Sequence, residues 1–209
     1  TLFISTSAHC APEVEVLLDE LTGYTYSIHV VPNRGRDMGS FLTAFSHELQ
    51  QYDIIGHVHT KKSALLSDQV FVKKWVDHLG EHSVGGQYPM IDFIASQFQQ
   101  NPLLGLVFPE DPHILGWGDN KTHADQLARQ LQIDALPNFP LNFPVGMMFW
   151  ARPQALRVLF DQQWSWEHYP EEPLPYDGTR LHALERLLPF VVKHHGFSQA
   201  VTYLPGVNR

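Results

Sequence analysis

"YSIHVVPNRGRDMGSFL", residues 26–42, passes from a β-rich run through a turn holding Arg34, Gly35, Arg36 and Asp37 into an apolar, helix-forming run. Residues 26–31 read as a strand, and Met38, Phe41, Leu42, Phe45 and Leu49 recur at the spacing of one buried helix face. Free backbone N–H groups and the helix dipole favour an anion at such a turn. Glycine lets a phosphate come close, and arginine can bind its oxygens in bidentate fashion. The plainer alternative is a solvated turn closed by an Arg–Asp ion pair.

Outward from this turn, "LFIS" (2–5) reads as a first strand, and Pro12 opens a helix with Val14, Leu17, Leu18 and Leu21 on one face. "YDIIGHVH" (52–59) reads as a third strand. The β-α-β-α-β order predicts an α/β fold with a mostly parallel sheet flanked by helices, Rossmann-like, whose ligands sit beyond the carboxyl ends of the strands. Both the 33–37 turn and "HTKKS" (59–63) fall there. Further along, 69–79 and 88–99 read as helices, "LLGLVFP" (103–109) as a buried strand, 121–131 as a helix and 134–145 as a loop. "VGMMFWA" (145–151) reads as a strand, and Pro153 starts a helix carrying Leu156, Leu159 and Phe160. "HYPEEPLPYDG" (168–178) is a loop before a last helix bearing Leu181, Leu184, Leu187 and Leu188. No repeat or linker interrupts the pattern, so one domain is expected over residues 1–209.

With 209 residues, 44% of them hydrophobic, the chain can build one full core. A net charge of −8 argues against a general nucleic-acid binder, so any basic site must be local. The single cysteine, Cys10, cannot form an internal disulfide, which fits a reducing, cytoplasmic setting. No apolar run approaches the roughly 20 residues of a membrane span, so membrane contact is expected to be peripheral at most. The chain opens on "TLFIST" without methionine and reads as a piece of a longer protein.

Lys61 and Lys62 read as further phosphate-holding charges. His57 and His59 share a strand face and invite a metal reading. Two adjacent lysines would repel a cation, and no third ligand is evident nearby. Asp177 reads as the N-cap of the last helix, with His182 and Arg186 four apart on one face. Asp177, or else Glu172 just upstream, could serve as a general base. Trp117, Trp150, Trp164, Trp166 and Tyr176 could stack on a sugar ring, although such aromatics more often belong to a core. The chain has no GxSxG elbow, no phosphate-loop lysine motif and no full GxGxxG.

"NRGRDMGSFL", "YDIIGHVHTKKS", "FPVGMMFWAR" and "YDGTRLHALERL", in this order and spacing, resemble the rhamnan synthesis protein F family of bacterial surface-polysaccharide biosynthesis. The resemblance implies a glycosyltransferase-like domain of GT-A-type layout. It would transfer a sugar, rhamnose or another deoxyhexose, from a nucleoside-diphosphate donor to a growing O-antigen, rhamnan or capsule chain. By position, it implies a donor site of Asn33, Arg34, Gly35, Arg36, Asp37, His59, Lys61 and Lys62. Gly146, Met148, Trp150, Arg152, His182 and Arg186 would lie on the acceptor side, and Asp177 or Glu172 would be the catalytic base. Where a GT-A enzyme carries a DxD metal motif, this chain has "HTKK", so an inverting, metal-independent transferase with no cofactor is expected. The implied partners are a nucleotide-sugar, a glycan or lipid-linked glycan, and further domains of a larger protein, at the inner face of the cell membrane. The family also carries an upstream strand, and this sequence starts after it. Two competing readings are a noncatalytic carbohydrate-binding or assembly domain, and a metal-dependent phosphoesterase using His57, His59 and an aspartate.

Overall fold

The computed structural model describes residues 1–60, 69–111, 113, 116–138 and 142–206. Strand β1 (Leu2–Thr6), helix α1 (Ala11–Asp19) and strand β2 (Tyr26–Val30) form the expected βαβ unit, with Leu2 opposite Tyr26 and Thr6 opposite Val30 in parallel register. The chain then runs through α2 (Arg36–Gly39), a π-helical turn (Ser40–Ala44) and α3 (Ser46–Leu49) into β3 (Ile55–His57). Next come α4 (Gln69–Ser83), α5 (Met90–Gln100), β4 (Leu104–Pro109), α6 (Lys121–Gln130), β5 (Phe149–Ala151), α7 (Arg157–Phe160), α8 (Arg180–His194) and β6 (Ser198–Thr202).

The mostly parallel, Rossmann-like sheet does not form, and the GT-A-type layout expected with it falls too. Strands β1 and β2 stand as a two-stranded sheet, and a separate four-stranded mixed sheet runs β3-β5-β4-β6. In that sheet β5 is antiparallel to both neighbours and β6 is parallel to β4. The reason lies in burial. Inner strands of a parallel sheet are covered on both faces and read as continuous apolar runs. Strands β1 and β2 interrupt theirs with Ser5, Thr6, Ser27 and His29, and none of their residues is fully buried. All six residues of β4 are buried, so the core gathers there. Strand β3 reaches that core through β5, where Gly56 faces Trp150 and the indole occupies the space a side chain would need.

Other departures are local. The expected single helix over 38–49 is divided by the π-helical turn, while Met38, Phe41, Leu42, Phe45 and Leu49 all stay buried. The third strand spans only 55–57, and the expected strand at 145 begins at 149 because Gly146 and Met147 adopt φ of 78° and 55°. Strand β6, with four of its five residues exposed, has no apolar alternation to announce it in the sequence. The last helix is capped by Thr179, whose side chain accepts from the His182 backbone N–H, so Asp177 is not the N-cap. Behind it, Leu184, Leu187, Leu188, Val191 and Val192 are fully buried. Among the described residues no helix is long and apolar enough to cross a membrane.

Gly35 lets the turn after β2 press against Tyr169. Its φ is 76°, and a Cβ there would lie 2.8 Å from Gly39 Cα and 2.8 Å from the Tyr169 ring. Gly35→Ala should therefore lower stability by about 2–4 kcal/mol, from left-handed strain together with overpacking. A urea denaturation series checks this, and an unchanged midpoint would contradict the packing described.

Candidate functional site

The turn at 33–37 and the loop before α8 meet. Arg34 donates through Nε to the Tyr169 carbonyl at 2.7 Å, forms an isolated antiparallel bridge with Glu171 and lies 3.9 Å from its carboxylate. This arginine braces the 166–172 segment. Arg36 points elsewhere: its Nε donates to Glu172 Oε1 at 3.4 Å and its Nη1 to His182 Nε2 at 3.2 Å. The other oxygen of Glu172 accepts from the Leu174 N–H at 2.8 Å, which holds the carboxylate toward Arg36. Asn33 is exposed. Gly35 is buried against Tyr169, so its missing side chain serves packing. Asp37 faces His57 and His182 electrostatically, and its Oδ2 is buried without a hydrogen-bond partner among the described residues.

Arg186 lies deeper. Its side chain is 8% exposed and makes contact 3.5 Å from Asp177 Oδ1. It also donates to the Gly116 carbonyl at 3.2 Å and to the His182 carbonyl at 2.9 Å, and it covers the Phe143 ring at 4.8 Å. Asp177 in turn accepts from Asn120 Nδ2 at 2.7 Å, while Asn120 Oδ1 takes the Gly178 N–H. Burial pushes the Asp177 carboxyl up, but Asn120, the Arg186 charge and the Gly178 and Asp119 N–H groups outweigh it and hold it below its usual range. A carboxylate stabilised in this way is a fixed anion and a weak proton acceptor.

The 145–148 turn is clamped from three sides. Glu185 Oε1 accepts from the Gly146 N–H at 2.6 Å, His59 Nε2 donates to the Gly146 carbonyl at 2.6 Å, and His57 Nδ1 donates to the Met147 carbonyl at 2.6 Å. His57 packs between the tilted rings of Phe41 and Phe149, and burial lowers its pKa, only partly opposed by Asp37. Both histidines read as a metal pair are thus committed to backbone carbonyls. Among the described residues no group of three His, Cys, Asp or Glu side chains is arranged to hold a metal ion.

His182 connects the two halves of the site. A guanidinium can only donate, so Nε2 facing Arg36 must be the unprotonated nitrogen, and Nδ1 donates to Thr179 Oγ1 at 2.8 Å. Burial first, and then the Arg36 charge, lower its pKa, so the ring is neutral at pH 7.

Not all of the expected residues gather here. Met148 is buried core. Trp150 gives its indole N–H to the Ser83 carbonyl at 2.8 Å. Arg152, at the far end of β5, donates to the carbonyls of Leu104 and Phe98. Lys61 and Lys62 lie outside the described residues. Trp117 and Trp164 are buried with their N–H groups donated to the Pro137 and Leu159 carbonyls, and Tyr176 is exposed. Asn120, Thr179 and Tyr169 escaped the sequence reading, because single polar residues distant in sequence carry no spacing signal. A shallow concavity of about 680 Å³ is lined by Leu42, Thr43, His47, Glu48, Phe160 and Trp164, and Arg36, Asp177, His182 and Arg186 are not among its lining residues.

Residues 1–197 match the family described as rhamnan synthesis protein F. The chain belongs to this family. Its description ties the chain to polysaccharide, specifically rhamnan, biosynthesis. Two curated relatives, each called uncharacterized protein WxcX, come from Xanthomonas campestris pv. campestris strains B100 and ATCC 33913. Each is 35% identical over an alignment of 169 residues that covers 78% of this chain and 23% of the relative. The chain thus spans under a quarter of the length of these relatives. No solved structure matches it. The matched residues include the turn at 33–37 and the whole of α8, the two elements that build the polar cluster.

His57 and His182 in this cluster, and separately His82 on α4, which donates to the His78 carbonyl at 2.8 Å, have pKa values lowered by burial, so the folded state refuses protons that an unfolded chain takes up near pH 6.5. Their contribution to stability is complete above that value and declines as pH falls through it. Asp177, held low by its partners, adds to the loss at more acidic pH. Denaturation midpoints should fall from pH 7.5 to pH 5, and His57→Gln should flatten the slope. A midpoint that rises toward pH 5 would contradict the neutral rings.

Proposed function

We propose that this chain is the sugar-transferring part of a rhamnan-family protein. It moves rhamnose or another deoxyhexose from a nucleoside-diphosphate donor to a glycan or lipid-linked glycan acceptor, with inversion and without a divalent metal. The observation that carries the reading is the meeting of Arg36 with Glu172 and His182. A part-exposed guanidinium stands beside a neutral imidazole, next to the buried Arg186 guanidinium and its part-exposed partner Asp177. A leaving diphosphate develops charge as the glycosidic bond breaks, and preorganised cations in a partly dehydrated site stabilise it most. Arg36 is the group for that charge. Lys61 and Lys62 are its further candidates by sequence. Arg34 and Arg186 hold the scaffold, Glu172 aims the part-exposed Arg36 and Asp177 the buried Arg186. Further domains and the inner face of the cell membrane complete the setting, since surface glycans are extended on lipid carriers there.

A noncatalytic glycan-binding module is less favoured, because Trp117, Trp150 and Trp164 turn their polar edges into the protein instead of offering open rings.

Calorimetric titration of the full-length protein with uridine, thymidine and guanosine diphosphates tests the donor site. One of them should bind equally well with and without chelator, and Arg36→Gln should weaken it by about 1–3 kcal/mol through loss of a charge-assisted hydrogen bond. Binding that disappears with chelator would overturn the metal-free reading. Absence of binding by all three would overturn the donor site itself.

A further inference from the structure

We propose that His182 Nε2 is the proton acceptor for the incoming hydroxyl, and that Arg36 masks it until a diphosphate draws the guanidinium away. This rests on the donor reading above and goes one step further. The geometry supplies each part. Nε2 is the nitrogen that carries the lone pair, and the group covering it is the Arg36 Nη1 at 3.2 Å. Nδ1 is anchored on Thr179 Oγ1 at 2.8 Å and sits 4.0 Å from Asp177 Oδ1, so a proton gained at Nε2 yields an imidazolium facing an anion. Asp177 is thereby a positioning residue for His182: its Oδ1 takes both Asn120 Nδ2 and the Arg186 guanidinium, and these with the Gly178 and Asp119 N–H groups hold its carboxyl below the usual range. Glu172 is no better placed, because its two oxygens face Arg36 and the Leu174 N–H.

The groups facing the ring are Arg36 and Asp37 from α2, Asp177 and Thr179 from the loop before α8, and Arg186 from α8 itself. Burial first, then the Arg36 and Arg186 charges, hold the ring neutral against the pull of Asp177 and Asp37. In the transfer step the acceptor oxygen forms a bond to the anomeric carbon. The bond from that carbon to the diphosphate oxygen breaks, its electron pair leaves with the diphosphate toward Arg36, and the hydroxyl proton passes to His182 Nε2. Donor binding and base exposure are coupled through one side chain, so an empty donor site keeps the base covered.

The ring proton resonances of His182 in the full-length protein, assigned by their loss in His182→Gln, report its titration directly. The diphosphate found to bind should raise the His182 midpoint by roughly one pH unit, and Arg36→Gln should raise it similarly without ligand. With a nucleoside-diphosphate rhamnose as donor, His182→Ala should release diphosphate on the order of 10²–10⁴-fold more slowly, the span of general base catalysis. Added imidazole should restore part of that rate, which a purely structural histidine would not permit. Binding of the diphosphate with an unmoved His182 titration, or a His182→Ala variant as fast as the parent, would overturn this inference alone. If no diphosphate binds, the donor reading and this inference fall together.

Discussion

A guanidinium carried into the interior is the constraint around which the site is organised. Arg186 sits on the buried side of α8, where an unpaired charge would be strongly destabilising. Its neutralisation recruits Asp177 from the preceding loop, the Gly116 carbonyl from the segment before α6, and the face of Phe143. Asn120 then completes the arrangement by bonding both Asp177 and the Gly178 N–H. Three segments far apart in sequence are therefore fixed relative to one another by one charge and its ligands. The beginning of α8, with Thr179 and His182, takes its place from that arrangement.

On this platform the turn after β2 docks in a defined pose. Gly35 allows the backbone to press against Tyr169, Arg34 ties the same residue by its carbonyl, and Arg36 is left pointing at Glu172 and His182. The two arginines of one short motif thus have different physical duties. One is consumed by the backbone of a neighbouring loop, and the other remains part-exposed with partners that a stronger anion could replace. The histidines follow a related logic. His57 and His59 each donate to a carbonyl of the 145–148 turn, while His182 keeps a lone pair facing a cation.

The N-terminal unit shows the limits of local pattern. Strand β1, α1 and β2 form as their periodicity demands, yet they leave Val16, Leu17, Tyr24 and Val30 exposed. Sheet order depends on which strand can bury both faces, and only β4 does so along its whole length. A strand of three residues such as β3 contains too little pattern to state its partner. Its pairing with β5 is decided by a glycine that accommodates an indole from a residue more than ninety positions away.

The sequence by itself determined the elements with long apolar periodicity, namely α4, α5, α6, α8 and the buried strand β4. It also determined the family, because four ordered blocks carry far more information than any single motif. It singled out Arg36, Glu172, Asp177, His182 and Arg186 by type and position. Only the tertiary structure decided that β3 joins an antiparallel neighbour, that Thr179 and not Asp177 caps α8, and that Arg34 turns to a backbone carbonyl. The physical reason is that periodicity encodes which face of an element is apolar, a local property. Strand adjacency, the partner of a buried charge and the tautomer of a histidine depend on atoms brought together only when the chain is folded.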